Sequence, residues 1–147
     1  MKTIFTATIA FAFVLASELH ADDAADCFRY YEGDEYTNAI APCALAAEQG
    51  DVEAQFRLGV LHLVGIGVAQ DFDEALRWFS AAAEQGNAMA QYSLGWMYAS
   101  GDGVTQNVVV AHMWFNIASA NGAGEQARQD RDLVANNMTS EQIADAQ

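Results

Sequence analysis

Three sets of residues in this 147-residue chain are of types that do chemistry: His62 and His112, the acidic run Asp71, Asp73 and Glu74, and the cysteines Cys27 and Cys43. Nucleophilic hydrolysis needs a nucleophile and a base within hydrogen-bond reach, and a zinc site needs several converging ligands. His62 and His112 lie fifty positions apart, and neither is accompanied by a readable nucleophile. His62 is read as a surface or partly buried histidine and His112 as a filler between helices. The acidic run lacks the glycine and the distal glutamate of a calcium loop, and carboxylates at a helix start are more simply cap and dipole partners. No catalytic residue, metal or cofactor is therefore expected.

The cysteines depend on where the chain resides. Lys2 precedes an uncharged, mainly apolar stretch from Ile4 to Ser17, IFTATIAFAFVLAS. It is too short to span a bilayer, which takes about 20 residues, but it suits the core of a signal peptide. Residues 1–21 are expected to be that leader, with cleavage after Ala21 preferred to cleavage after Ala16. The product is then periplasmic or secreted, with no membrane attachment. In an exported protein an isolated pair of cysteines is most simply a disulfide, Cys27–Cys43. Asp26 stands where a small residue should precede a lipidated cysteine, and two thiols without nearby histidines do not fill a tetrahedral metal shell. The pair flanks a turn at Gly33-Asp34, so two antiparallel helices would bring the thiols to the same height.

Net charge is −14. Loss of the leader removes Lys2 and Glu18, one charge of each sign, and leaves no lysine at all. Such a chain is repelled by phosphate backbones, so nucleic acid is excluded as a partner, and anionic membranes are disfavoured.

The elements that must position these residues are announced by a repeat. AAEQGDVEAQFRLGVLHLVGIGV (46–68) and AAEQGNAMAQYSLGWMYASGDGV (82–104) share twelve of 23 residues at an offset of 36. Each unit reads as two helices. Asp51 and Asn87 are N-caps of first helices, Asp71 and Asn107 of second helices, and Glu74 is placed to complete a capping box with Asp71. Gly50, Gly86 and Gly122 fall where a left-handed residue ends a helix. Gly59 and Gly95, in mid-helix, should each cost about 1 kcal/mol relative to alanine, which points to a close helix contact that compensates. Leu58, Leu94, Trp78 and Trp114 are expected to fill the space between helices. GIGV and GDGV are hinges; without a lysine, a third glycine or a preceding strand, neither is a phosphate loop. Pro42, inside the second helix of the first unit, is expected to kink it or delay its start. One helix pair cannot bury its apolar face alone, so the units should stack into an all-α solenoid.

The pattern A-Q-[FY]-x-L-G … G-x-G-V-x-Q-[DN] … A-x-x-W-F-x-x-A … G resembles the Sel-1-like repeat, a relative of the tetratricopeptide repeat. It is carried by Ala54, Gln55, Phe56, Leu58, Gly59, Gly65, Gly67, Val68, Gln70, Asp71, Ala75, Trp78, Phe79, Ala82 and Gly86, and again from Ala90 to Gly122. The expected division is a degenerate helix pair over 22–50, repeats over 51–86 and 87–122, and capping helices over 123–147. AHMWFNIASANG (111–122) and MTSEQIADAQ (138–147) are similar to the last repeat and closing helix of small exported members, with Thr139 and Gln142 as a capping box.

The resemblance implies an adaptor that holds protein or peptide segments, in bacteria often in envelope or polysaccharide regulation. An envelope hydrolase or a carbohydrate- or peptidoglycan-binding factor is the competing class, because some cysteine-rich relatives are associated with such chemistry. This chain lacks their cysteine in every repeat. Positions where the two units differ along one stripe are candidates for recognition: Arg57, Val60 and Val64 in one first helix, and Ser93, Trp96 and Ser100 in the next. Arg57 and Trp96 are the expected anchors, Arg57 by pairing with a partner's carboxylate. Packing against the neighbouring repeat is the other reading of Trp96.

Overall fold

A computed structural model describes residues 22–146; the expected leader lies outside them. The described residues are helical without strands: α1 (22–32), α2 (Tyr36–Glu48), α3 (Val52–Val64), α4 (Phe72–Glu84), α5 (Ala88–Ser100), α6 (Val108–Ala120), α7 (Gly124–Ala135) and α8 (Ser140–Asp145). From α2 to α7 each helix packs on the next in the chain, and α8 packs on α6. The first helices α3, α5 and α7 begin at residues 52, 88 and 124, and the second helices α2, α4 and α6 at 36, 72 and 108. The period of 36 therefore persists into α7, beyond the last repeat legible in the sequence.

The expected caps form. Asp51 accepts from the Ala54 amide and Asn87 from that of Ala90. Asp71 accepts from the Asp73 and Glu74 amides, and Asn107 from those of Val109 and Val110. Thr139 and Gln142 make the full capping box. Glu74 does not close one with Asp71, because the Asp71 amide donates to the His62 carbonyl at 2.9 Å; the Glu74 carboxylate pairs with Arg77 instead. Gly50, Gly86 and Gly122 have φ of 91°, 88° and 101°, as the helix ends require.

The mid-helix glycines do admit a close contact. A Cβ on Gly59 would lie 2.7 Å from the Phe79 ring, and one on Gly95 would lie 2.6 Å from that of Phe115. Both phenylalanines are fully buried, as are Leu58 and Leu94; Trp78 is buried and Trp114 partly so. A polar clamp repeats with the same period. Gln55 and Gln91 are buried and donate to the carbonyls of Ala47 and Ala83, at the end of the preceding second helix. Each side-chain oxygen in turn accepts from the end of its own unit, Gln85 for Gln55 and Asn121 for Gln91. Burying an amide is costly unless it is bonded, so the clamp fixes register between units as well as joining them.

The first unit departs from this scheme in a regular way. Three residues, 33–35, join α1 to α2, whereas seven, 65–71, join α3 to α4. Allowing for those four missing residues, Cys27 occupies the place of Gly59, and Cys43 at the full offset occupies that of Phe79. The two are joined in a disulfide, so a covalent bond replaces the glycine–phenylalanine contact of the later units. Pro42 does not delay α2, which starts in phase with α4 and α6 and continues through it. The proline removes the donor to the Asn38 carbonyl, and Asn38 is exposed, so water can take that bond.

Candidate partner-binding groove

The stripe predicted to bind a partner splits into two environments. On α5, Asn87 caps the start and Gly101, with φ of 87°, ends the helix and turns the chain back so that Asp102 meets Ser100. Gly95 lets the buried Phe115 ring close onto the helix. Trp96, the next residue, rests on that ring, with centroids 5.8 Å apart and planes at 77°. Trp96 remains 45% exposed. Around it lies a groove of about 250 Å³ lined by Leu63, Tyr92, Ser93, Trp96, Met97, Ser100 and Asp102. Ser93, Trp96 and Ser100 are thus brought together. The serine hydroxyls also serve the helix: Ser93 donates to the Met89 carbonyl, and Ser100 lies against the Trp96 carbonyl and bonds the Asp102 carboxylate. Tyr92 donates to the buried Asp130 of α7 at 2.6 Å, which fixes one wall. Burial, and after it that hydrogen bond, raises the Tyr92 hydroxyl above its ordinary pKa.

On α3 the stripe is different. Val64 is 53% exposed, while Val60 packs into the core formed with α4 and α5. Arg57 is withdrawn from the surface, its side chain 9% exposed. It donates to Glu53 and to Glu32 of α1, each at 2.9 Å, and its guanidinium lies 4.6 Å from the rings of Phe28 and Tyr31. The expectation that Arg57 waits for a partner's carboxylate is corrected: two carboxylates of its own chain and two aromatic rings already surround it. Sequence reading missed Phe28, which is exposed and stands at the place of Val60 and Trp96 in the first unit. The signal was the shorter α1–α2 connection; at a constant offset of 36 the correspondence disappears.

Residues with acid–base character lie elsewhere. His112 is buried and lines a second cavity of about 560 Å³ with Asn116, Arg131, Asp132, Ala135 and Ile143, between α6, α7 and α8. Burial, and next the Arg131 charge, lowers its pKa from the ordinary 6.5, against an opposing pull from Asp132. Nδ1 of His112 and Nδ1 of His62 are buried without a hydrogen-bond partner, so neither ring is oriented by a third group in the manner of a catalytic base. Among the described residues, no three of His, Cys, Asp and Glu are grouped so as to hold a metal ion.

The repeat profile described as Sel1 repeat matches residues 52–87 and 88–122, the spans of the two helix pairs beginning with α3 and α5. Among solved structures, the chain is similar to c5321, a protective antigen present in uropathogenic Escherichia coli strains and displaying an SLR fold. The identity is 33% and the TM-score 0.80, over 86% of this chain and 28% of that one. It is also similar to a Sel1 repeat protein from Oxalobacter formigenes, at 30% identity and a TM-score of 0.71, over 79% of this chain and 49% of the other. The chain thus spans about a quarter and a half of these two relatives. No functionally curated protein matches its sequence. With the period, the glycine–phenylalanine contacts and the glutamine clamps in place, the chain belongs to the Sel1-like repeat family of helical-repeat proteins.

Proposed function

We propose that this protein is an exported, non-catalytic adaptor that holds a segment of a partner protein on its first-helix face, with Trp96 at the centre of the contact. Sel1 repeats are in general scaffolds for protein interaction. The disulfide suits an oxidising compartment, and no described helix is long and apolar enough to cross a membrane. Both fit a periplasmic or secreted location. The observation that carries the site is Trp96, a large aromatic left 45% exposed in a groove built by an otherwise repetitive framework. Tryptophan is enriched among residues that dominate binding energy. Val64, Ser93 and Ser100 complete the surface, and Val60 supports it from below.

Capture from an extract of the producing cells, by the wild type and by Trp96→Ala, tests this reading. The substitution should lower stability by about 1 kcal/mol through loss of the Phe115 contact. Partner affinity should fall by at least about 2 kcal/mol, roughly thirtyfold. Equal recovery of the same partner by a folded Trp96→Ala protein would move the site elsewhere.

A further inference from the structure

We infer that the segment held at Trp96 is cationic, a lysine- or arginine-bearing stretch whose charged head lies at Asp102 and whose stem lies on the tryptophan. This rests on the groove being the partner site, and the chain itself supplies the template. Two units earlier, Arg57 lies over the Phe28 ring and pairs with Glu32 and Glu53. In the register of the repeat, Phe28 corresponds to Trp96, and Glu32 corresponds to Ser100, whose hydroxyl holds the Asp102 carboxylate. The position that corresponds to Arg57, one helix further on in α7, is Gln129. Ring and carboxylate are therefore both present around Trp96, while the arginine is replaced by an uncharged residue. A cationic side chain from outside provides what Arg57 provides internally, with cation–π attraction to the ring and an ion pair to the carboxylate.

The rest of the molecule selects the same sign. Every arginine among the described residues is already paired: Arg29 with Asp26, Arg57 as above, Arg77 with Glu74, Arg128 with Glu125 and Arg131 with Asp132. After residue 21 there are nineteen carboxylates and five arginines, and no lysine. An anionic segment would meet repulsion and no free guanidinium. A purely apolar one would cover Asp102 without supplying a countercharge, which costs free energy.

Binding of three dye-labelled peptides distinguishes the possibilities: Gly-Leu-Arg-Gly-Leu-Arg-Gly, the same peptide with citrulline for arginine, and the same with glutamate. Fluorescence polarisation at 0.15 M salt confines diffuse attraction to about 8 Å. The arginine peptide should bind about tenfold more tightly than the citrulline peptide, and the glutamate peptide more weakly still. Asp102→Asn should weaken the arginine peptide about threefold and leave the citrulline peptide unchanged. Glu84→Gln, at an exposed carboxylate outside the groove, should change neither. Equal binding of the arginine and citrulline peptides, both weakened by Trp96→Ala, would overturn the charge inference and keep the groove. Equal effects of Asp102→Asn and Glu84→Gln would reduce it to diffuse attraction and overturn it. If Trp96→Ala changes no peptide's affinity, or none binds, the groove reading fails and the inference falls with it.

Discussion

Replacing Gly59 by alanine adds one methyl group, and two opposing effects decide the outcome. Alanine is the better helix former by about 1 kcal/mol. Its Cβ, however, would lie 2.7 Å from two atoms of a fully buried phenylalanine ring, which has no free end to swing aside. Overpacking of this kind costs about 1–3 kcal/mol. Urea denaturation of Gly59→Ala should show a net loss of about 1–2 kcal/mol, and Phe79→Leu in the same chain should recover part of it. A gain in stability from Gly59→Ala alone would mean that the ring yields. His112 gives a second test at this scale. Its lowered pKa keeps the ring neutral in the fold at pH values where the unfolded chain, titrating near 6.5, takes up a proton. The contribution is fully present above that value and is lost as pH falls towards the lower folded value. His112→Leu, which installs the residue found at Leu76, should therefore gain on the wild type as pH drops. The midpoint of His112→Leu relative to the wild type should rise between pH 7.5 and pH 5.5; an unchanged difference would show a ring that titrates normally.

The link between α1 and α2 is covalent where the later pairs rely on packing. Cys27→Ser with Cys43→Ser should lower stability by roughly 3 kcal/mol, the chain-entropy value for a loop of about 15 residues. Because α1 carries Phe28, Tyr31 and Glu32, its loosening should also expose Arg57. Melting curves with and without reductant check the first effect; a wild type indifferent to reductant would show that α1 is held by packing alone. Element by element, much of this was legible in the sequence. Caps, left-handed glycines and the offset of 36 are local signals, set by one residue's side chain or backbone freedom, and α3 to α6 followed from them. The environment of Arg57 was not legible, because it depends on three residues of α1 whose register is shifted by four missing turn residues. Glu74 looked like a capping-box partner for a similar reason: spacing alone does not reveal that the Asp71 amide is already given to the His62 carbonyl across the α3–α4 loop. Pro42 does not delay α2 as one alternative had it, since the start of that helix is set in phase with α4 and α6.

Across the whole molecule, the two ends depart from the repeat in opposite ways. At the start the disulfide takes over the glycine–phenylalanine contact. At the other end α7 keeps the phase but places the buried Asp130 where Leu94 stood, and Arg131 where Gly95 stood. Arg131 leaves no gap for another phenylalanine, and Asp130 spends its carboxylate on Tyr92 of the previous unit. Between these ends the same clamp recurs: Gln55 reaches Ala47 as Gln91 reaches Ala83. A further stretch of 36 residues placed after Gly86 would meet the same glutamine clamp on each side. The number of repeats can thus change by whole units of 36 residues while the clamp between neighbours is kept. Both relatives extend well beyond the span they share with this chain. What sets this array apart is how its first and last described helices depart from the repeat, through a cysteine bridge in α1 and α2 and an aspartate–arginine step in α7.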